Sequence, residues 1–242
     1  MLMIDIGNSR IKCAVWLDNV WQLLRSQPYE QENLNKQFDL LFEDIVPQPV
    51  YVACVVDDLK DALALWFLAR WALQPVFATS TKQLFGVTNA YGQTESLGVD
   101  RWLAIVAAHT KFQSPVCVID CGTAVTVDVV DANGMHMGGL IMPGLQLMRE
   151  SLFKNASKID SAKGNLVELA VNTKDAVESG CVQLLSLGLD QICRIQQEKQ
   201  TGLRIVITGG DGELIARQMH LQTSFIETLV LDGLCIVAAK DG

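Results

Sequence analysis

The chain has 242 residues, 50% of them hydrophobic, and a formal net charge of −8. That length can bury one large core or two smaller ones, and an acidic chain with no Lys/Arg cluster argues against a nucleic-acid partner. Its seven cysteines show no C-x-x-C and no zinc-like spacing, which predicts reduced, buried thiols in a cytoplasmic protein. The opening "MLMID" lacks the basic flank of a signal peptide. The most apolar runs, "ALALWFLAR" and "RWLAIVAAH", fall short of the roughly 20 residues that a membrane span needs.

Residues 1–7 and 10–16 read as two strands around a tight turn at "GNSR", and 20–27 as a third antiparallel strand. Residues 31–45 carry Leu34, Phe38, Leu41 and Phe42 at helical spacing. A buried strand follows at 48–56, a helix at 57–73 that opens on acids, and a short strand at 74–79. Residues 84–98, rich in Gly, Thr, Asn and Ser, predict a shaped loop. A helix runs from Val99 to His109. The stretch from Ser114 to Gly144 then reads strand, turn at "CGTA", strand, turn at "DANG", strand. Helices are expected at 144–154 and 172–198, a buried strand at 203–208 entering "GGDG", then a helix, a short strand and a final helix over 228–240.

Two of these openings repeat. "MIDIGNSRIKCAVW" from Met3 and "VIDCGTAVTVDVVD" from Val118 share Ile, Asp and Gly in register, almost half the chain apart, and each starts three strands. The pattern predicts an α/β fold built from a duplicated β-β-β-α-β-α unit, with lobes at 1–113 and 114–242 and a ligand cleft between them. Glycine in such a turn lets a phosphate approach the main chain, and successive N–H groups can converge on one anion. Asn8, Ser9 and Thr123 add donors, and Lys12 adds positive charge. Asp5 and Asp120 end their strands, where a carboxylate can hold Mg²⁺ or another cation that screens phosphate charge. Neither G-x-x-x-x-G-K-[ST] nor G-x-G-x-x-G occurs. "VITGGDGELI", with Gly209 and Gly210, offers a strand, a glycine pair and a helix start against which an adenosine can lie.

"LGVDRW" poses a different question. Asp100 and Arg101 begin a helix that is apolar nearly all round, a pattern that belongs to a buried or interface helix. Asp100 has two readings. It is either a first-turn acid favoured by the helix dipole or paired with Arg101, or a carboxylate that accepts the proton of a substrate hydroxyl in phosphoryl transfer. In the second reading Arg101 holds a substrate carboxylate.

The segments "DIGNSRIK", "LGVDRW", "DCGTAVTVDVV", "GGLIMPGLQLM", "NTKDAVESG" and "TGGDG" span nearly the whole chain. In that order and spacing they resemble the type III pantothenate kinases of the acetate kinase, sugar kinase and actin superfamily. The resemblance implies two ribonuclease H-like lobes with an interlobe ATP cleft, and ATP-dependent phosphorylation of pantothenate, the first step of coenzyme A synthesis. By the same resemblance Asp5, Ile6, Gly7, Asn8, Ser9, Arg10, Ile11 and Lys12, with Thr123, Gly209 and Gly210, serve ATP·Mg²⁺. Asp100 is the general base. Tyr91, Gly98, Val99, Asp100, Arg101 and Thr173 line the pantothenate pocket. Asp120 binds a potassium or ammonium ion. The family resemblance also implies a homodimer, for which the apolar helix after Asp100 is the expected contact.

The chain departs from the family pattern in three places. Ser9 stands where many relatives have threonine, Thr94 replaces a proline before the "LG", and "NASKID" replaces the usual "TAxLP". Two competing readings stay open at this level. One is a kinase of the same superfamily for another hydroxylated small molecule. The other is a nucleotide-binding regulatory protein without turnover.

Overall fold

The structure, a computed structural model, describes residues 1–45, 48–155 and 163–241. "NASKID" therefore lies almost wholly outside the described residues. Contacts divide the chain into two units. One holds Met1–Leu84, Tyr91–Ala107 and the segment from Thr228 onward; the other holds Phe85–Ala90 and Ala108–Glu227.

In the first unit, strands β1 (Leu2–Ile6), β2 (Arg10–Leu17) and β3 (Val20–Pro28) form an antiparallel meander. Helix α1 (Leu34–Leu41) leads to β4 (Val50–Cys54), which pairs parallel with β1. Helix α2 (Asp57–Trp71) leads to β5 (Val76–Phe77), parallel to β4. The sheet order is β3-β2-β1-β4-β5. The chain then passes through two-residue strands β6 (Gln83–Leu84) and β7 (Val87–Thr88) into α3 (Val99–Phe112).

The second unit repeats the plan. Strands β8 (Val116–Cys121), β9 (Ala124–Val130) and β10 (His136–Pro143) form the meander. Two helices, α4 (Leu145–Asn155) and α5 (Thr173–Lys199), precede β11 (Arg204–Thr208), which lies parallel to β8. Helix α6 (Gly212–Gln218), β12 (Thr223–Phe225) and α7 (Leu229–Asp241) complete the chain. The order β10-β9-β8-β11-β12 is that of the first sheet, strand for strand. The duplication expected from the two D-x-G openings is therefore present as a duplicated sheet.

Why the openings read as continuous apolar runs is now plain. A central strand with helices over both faces has no polar side to show. Leu2, Ile4 and Ile6 join a core with Phe38, Phe42, Trp66 and Phe67 of the α1–α2 layer. Met3, on the opposite face of the same strand, is also fully buried, and α7 packs on β1, β2 and β4. In the second unit Ile119, Val125, Val127 and Ile205 build the equivalent core with Leu185 and Leu189 of α5. Asp5 and Asp120 alternate onto the other face of their strands, at the last position but one.

Three expectations need correction. The helix expected over 31–45 is a single 3-10 turn at Gln31–Asn33 followed by α1 alone, although Phe42 and Ile45 remain buried beyond its end. The terminal helix α7 packs with the first unit, not with the second lobe to which its position in the chain assigns it. The apolar helix after Asp100 is core. Trp102, Leu103, Ile105, Val106 and Ala108 are all fully buried within the chain, so these side chains offer no face to a partner.

All seven cysteines are free, and six are buried. Burial pushes the Cys13 and Cys235 thiols up to about 12, which keeps them protonated and unreactive. Among the described residues no helix is long and apolar enough to cross a membrane.

Candidate active site

In the first unit the β1–β2 turn closes with the Gly7 N–H donating to the Arg10 carbonyl at 3.0 Å. Register sets Asp5 across from Lys12 and Ile6 across from Ile11. The isoleucines are buried anchors, while Asn8, Ser9 and Arg10 are exposed at the tip. Buried strands thus hold an exposed polar loop in one geometry. Two side-chain links tie the loop to β3 and the residue after it. The Arg10 guanidinium donates to the hydroxyl and the carbonyl of Ser26, both at 3.2 Å. The Tyr29 hydroxyl lies 3.1 Å from the Gly7 carbonyl and 2.9 Å from the Asn8 carbonyl.

The same unit gathers Tyr91, Gly98, Val99, Asp100 and Arg101 at the start of α3. The Asp100 carboxylate accepts the backbone N–H of Arg101 at 2.8 Å, as an acid in a first helical turn does. A Cβ at residue 98 would sit 2.6 Å from the Asp100 Oδ1, so a larger residue there would displace that carboxylate. Arg101 is only 7% exposed, and its guanidinium donates to the Tyr91 hydroxyl at 3.3 Å while lying 5.9 Å from the Tyr91 ring centroid. A buried, oriented cation beside a half-buried carboxylate is a pair suited to an anionic substrate that also carries a hydroxyl. The loop before it is pinned by the buried Ser80 hydroxyl, which donates to the Leu97 carbonyl at 2.7 Å.

In the second unit the β8–β9 turn closes with Gly122 N–H to Ala124 carbonyl at 3.1 Å, and Gly144 N–H reaches the Thr123 carbonyl at 3.0 Å. Asp120 lies across from Thr126, the place that Lys12 takes opposite Asp5. Gly209 follows β11 with φ +92°, and a Cβ there would collide with the Asp120 carboxylate and the Cys121 backbone. Backbone freedom and close approach thus both demand glycine at this position. The glycine pair, Asp120 and Asp211 form one cluster, because the Asp211 N–H donates to the Cys121 carbonyl at 3.0 Å. Burial pushes the Asp211 carboxyl above its ordinary value, against the pull of Arg149 and Lys163 and with the help of Glu178. Among the described residues no three His, Cys, Asp or Glu side chains gather to hold a metal ion. The Asp120 carboxylate instead suits an ion whose remaining ligands are water and phosphate oxygens, as for Mg²⁺ carried by a nucleotide.

Thr173 stands in the second unit, at the first position of α5. Asn172 caps that helix, its side chain accepting the Asp175 N–H at 3.0 Å. Thr173 borders a groove of about 870 Å³ between α4 and α5, with Leu147, Leu152, Val171 and Leu184 among its lining residues.

A family model for type III pantothenate kinase matches residues 1–194. The chain belongs to the type III pantothenate kinase family. Type III pantothenate kinases from Nitrosomonas eutropha and Nitrosococcus oceani are 33% and 34% identical to it; each alignment covers 98% of this chain, and 94% and 93% of the relatives. The enzyme of that name from Hahella chejuensis is 41% identical over 69% of each chain. Among solved structures, a conserved Baf family protein from Campylobacter jejuni superposes with a TM-score of 0.63 at 21% identity, covering 100% of this chain and 99% of that one. A ROK family glucokinase from Streptomyces griseus gives 0.53 at 12% identity over 100% and 99% of the chains, which is a likeness of fold.

For a type III pantothenate kinase, three structural features here escape sequence reasoning. Tyr29 lies outside every motif. Asp211 lies inside "TGGDG", where the glycines carry the sequence signal. Glu178, inside "NTKDAVESG", is 2% exposed and accepts from Arg149 Nη2 at 2.7 Å, a buried ion pair that fastens α4 to α5. Its one sequence signal is helical spacing. Cys181 and Val182 follow it by three and four residues, and all three lie on the buried side of α5.

Proposed function

We propose that the chain phosphorylates pantothenate with ATP, the first step of coenzyme A synthesis. The observation that carries the reading is the Asp100–Arg101 pair at the start of α3, set inside the residues that match the family. Arg101 holds the carboxylate of pantothenate, with Tyr91, Gly98 and Val99 shaping the pocket and Thr173 adding a hydroxyl. Asp100 accepts the proton of the substrate hydroxyl. The freed oxygen bonds to the γ-phosphorus as the bond from that phosphorus to ADP breaks, and ADP leaves with the electron pair. The turn from Asp5 to Lys12 holds phosphate oxygens, Thr123 adds a donor, and Gly209 and Gly210 lie along the nucleoside. Mg²⁺ bound with ATP neutralises phosphate charge. Asp120 takes a potassium or ammonium ion. Catalysis on this view is positioning and charge neutralisation.

Replacing Asp100→Asn is expected to lower kcat by about 10²–10⁴-fold, the usual worth of a positioned base, while ATP affinity measured by calorimetry stays within about twofold. Full activity in that variant would remove Asp100 from the role of base.

We further propose a homodimer in the cytoplasm, with no nucleic-acid partner. The apolar α4–α5 groove, with Leu184 68% exposed on its wall, supports a contact between copies. The free cysteines are in keeping with a reducing compartment, and the net charge of −8 opposes binding to nucleic acid. Sedimentation equilibrium should give twice the chain mass; a single-chain mass at micromolar concentration would exclude the dimer.

A further inference from the structure

The turn between β1 and β2 has to present N–H groups outward if it is to hold an anion, and something has to set the direction of its peptide planes. The register of β2 with β3 pairs Arg10 with Pro28, so the next residue, Tyr29, arrives beside the turn. Its ring is half-buried against the first unit's core, and its hydroxyl reaches the Gly7 and Asn8 carbonyls at 3.1 and 2.9 Å. A phenol has one proton, so the two acceptors share it.

No described peptide bond is cis. In a trans peptide the C=O and the following N–H point in opposite directions. Two carbonyls drawn toward Tyr29 therefore turn the N–H groups of Asn8 and Ser9 away from it, side by side at the exposed tip. Successive N–H groups turned outward at a turn can donate to one anion. Burial, with Cys54 nearby, pushes the Tyr29 phenol above its ordinary value, so it stays a donor across the working pH range.

We infer that Tyr29 is a positioning residue for the nucleotide: its hydroxyl fixes the Gly7–Asn8–Ser9 peptides in the orientation that binds ATP phosphate. The inference rests on the proposed role of the Asp5–Lys12 turn in holding ATP. Tyr29 itself touches no reacting atom. The chemistry asks for a donor at this place that cannot swing away, and a ring anchored in the core supplies one where a serine or lysine would not.

The test uses the full chain with two variants, Tyr29→Phe and Lys12→Ala. Tyr29→Phe keeps the ring and removes the donor. Its expected result is a KM for ATP raised by about 5–10-fold, the usual effect of one lost hydrogen bond to a neutral partner. The KM for pantothenate should stay within about twofold, and the rise in Tm on adding MgATP should shrink relative to the parent chain. Lys12→Ala should also raise the KM for ATP, by removing a charge from the same turn. If Lys12→Ala raises it and Tyr29→Phe does not, Tyr29 has no positioning role and the turn keeps its assignment. If neither variant raises it, the turn itself is misassigned and the inference falls with it. A Tyr29→Phe protein whose two KM values rise together, or whose Tm falls while the MgATP-induced rise is intact, would show a merely structural tyrosine and overturn the inference.

Discussion

At the scale of single residues, the chain places charge where it can be balanced by specific partners. Asp190 of α5 is the clearest case away from the site. Its side chain is 5% exposed, and it accepts the backbone N–H groups of His220 and Leu221 at 2.8 and 3.1 Å and the His220 ring at 2.9 Å. Burial alone would raise this carboxyl, but those donors outweigh it and hold it below the ordinary value. A carboxylate depressed on folding stabilises the native state above the unfolded-state pKa of about 3.9, and that contribution is lost as pH falls through the folded value. Urea unfolding from about pH 7 to about pH 2 should therefore show Asp190→Asn less stable than the parent at neutral pH, with the gap closing below about pH 4. A gap that stays constant across that range would mean that the carboxylate charge contributes nothing. Residues of this kind are not legible in the sequence, because Asp190 and His220 meet only through the packing of α5 against α6. Asp5 and Asp120 stand out in the sequence as candidates, since an acid two residues before a glycine at the end of an apolar strand needs a reason.

At the scale of elements, strands are easier to read than helices. The runs "LMIDI" and "VCVIDC" are buried on both faces, so composition alone marks them as central strands. The helix within 31–45 is shorter than its spacing predicts because apolar periodicity outlasts helical geometry. Phe42 already has φ −107° and ψ 14°, yet its ring is 1% exposed and packs near Phe38 and Trp66. Burial of a side chain and helicity of its backbone are separate demands, and periodicity reports the first. Tyr29 shows the converse limit. Its link to the β1–β2 turn depends on the pairing of Arg10 with Pro28, a register that no local pattern displays. The Arg149–Glu178 pair likewise joins two helices whose contact follows from the fold and not from spacing along either one.

At the scale of the whole molecule, the repeated D-x-G openings reveal a doubled architecture, and the two sheets share one strand order. The last helix is misplaced by sequence order, because apolar residues throughout "LVLDGLCIVAA" require burial without saying against which sheet. The site candidates fall into both units, with the Asp5 turn and the Asp100–Arg101 pair in the first and Asp120, Thr173 and Gly209 in the second. In the proposed function these residues serve one reaction, phosphoryl transfer from ATP to pantothenate. The most direct measurement is ADP release from MgATP by the purified full chain, with and without pantothenate, in potassium and again in sodium. The expected result is release that requires pantothenate and is faster in potassium. Release that ignores pantothenate, or none in either salt from a protein that still binds ATP, would contradict it.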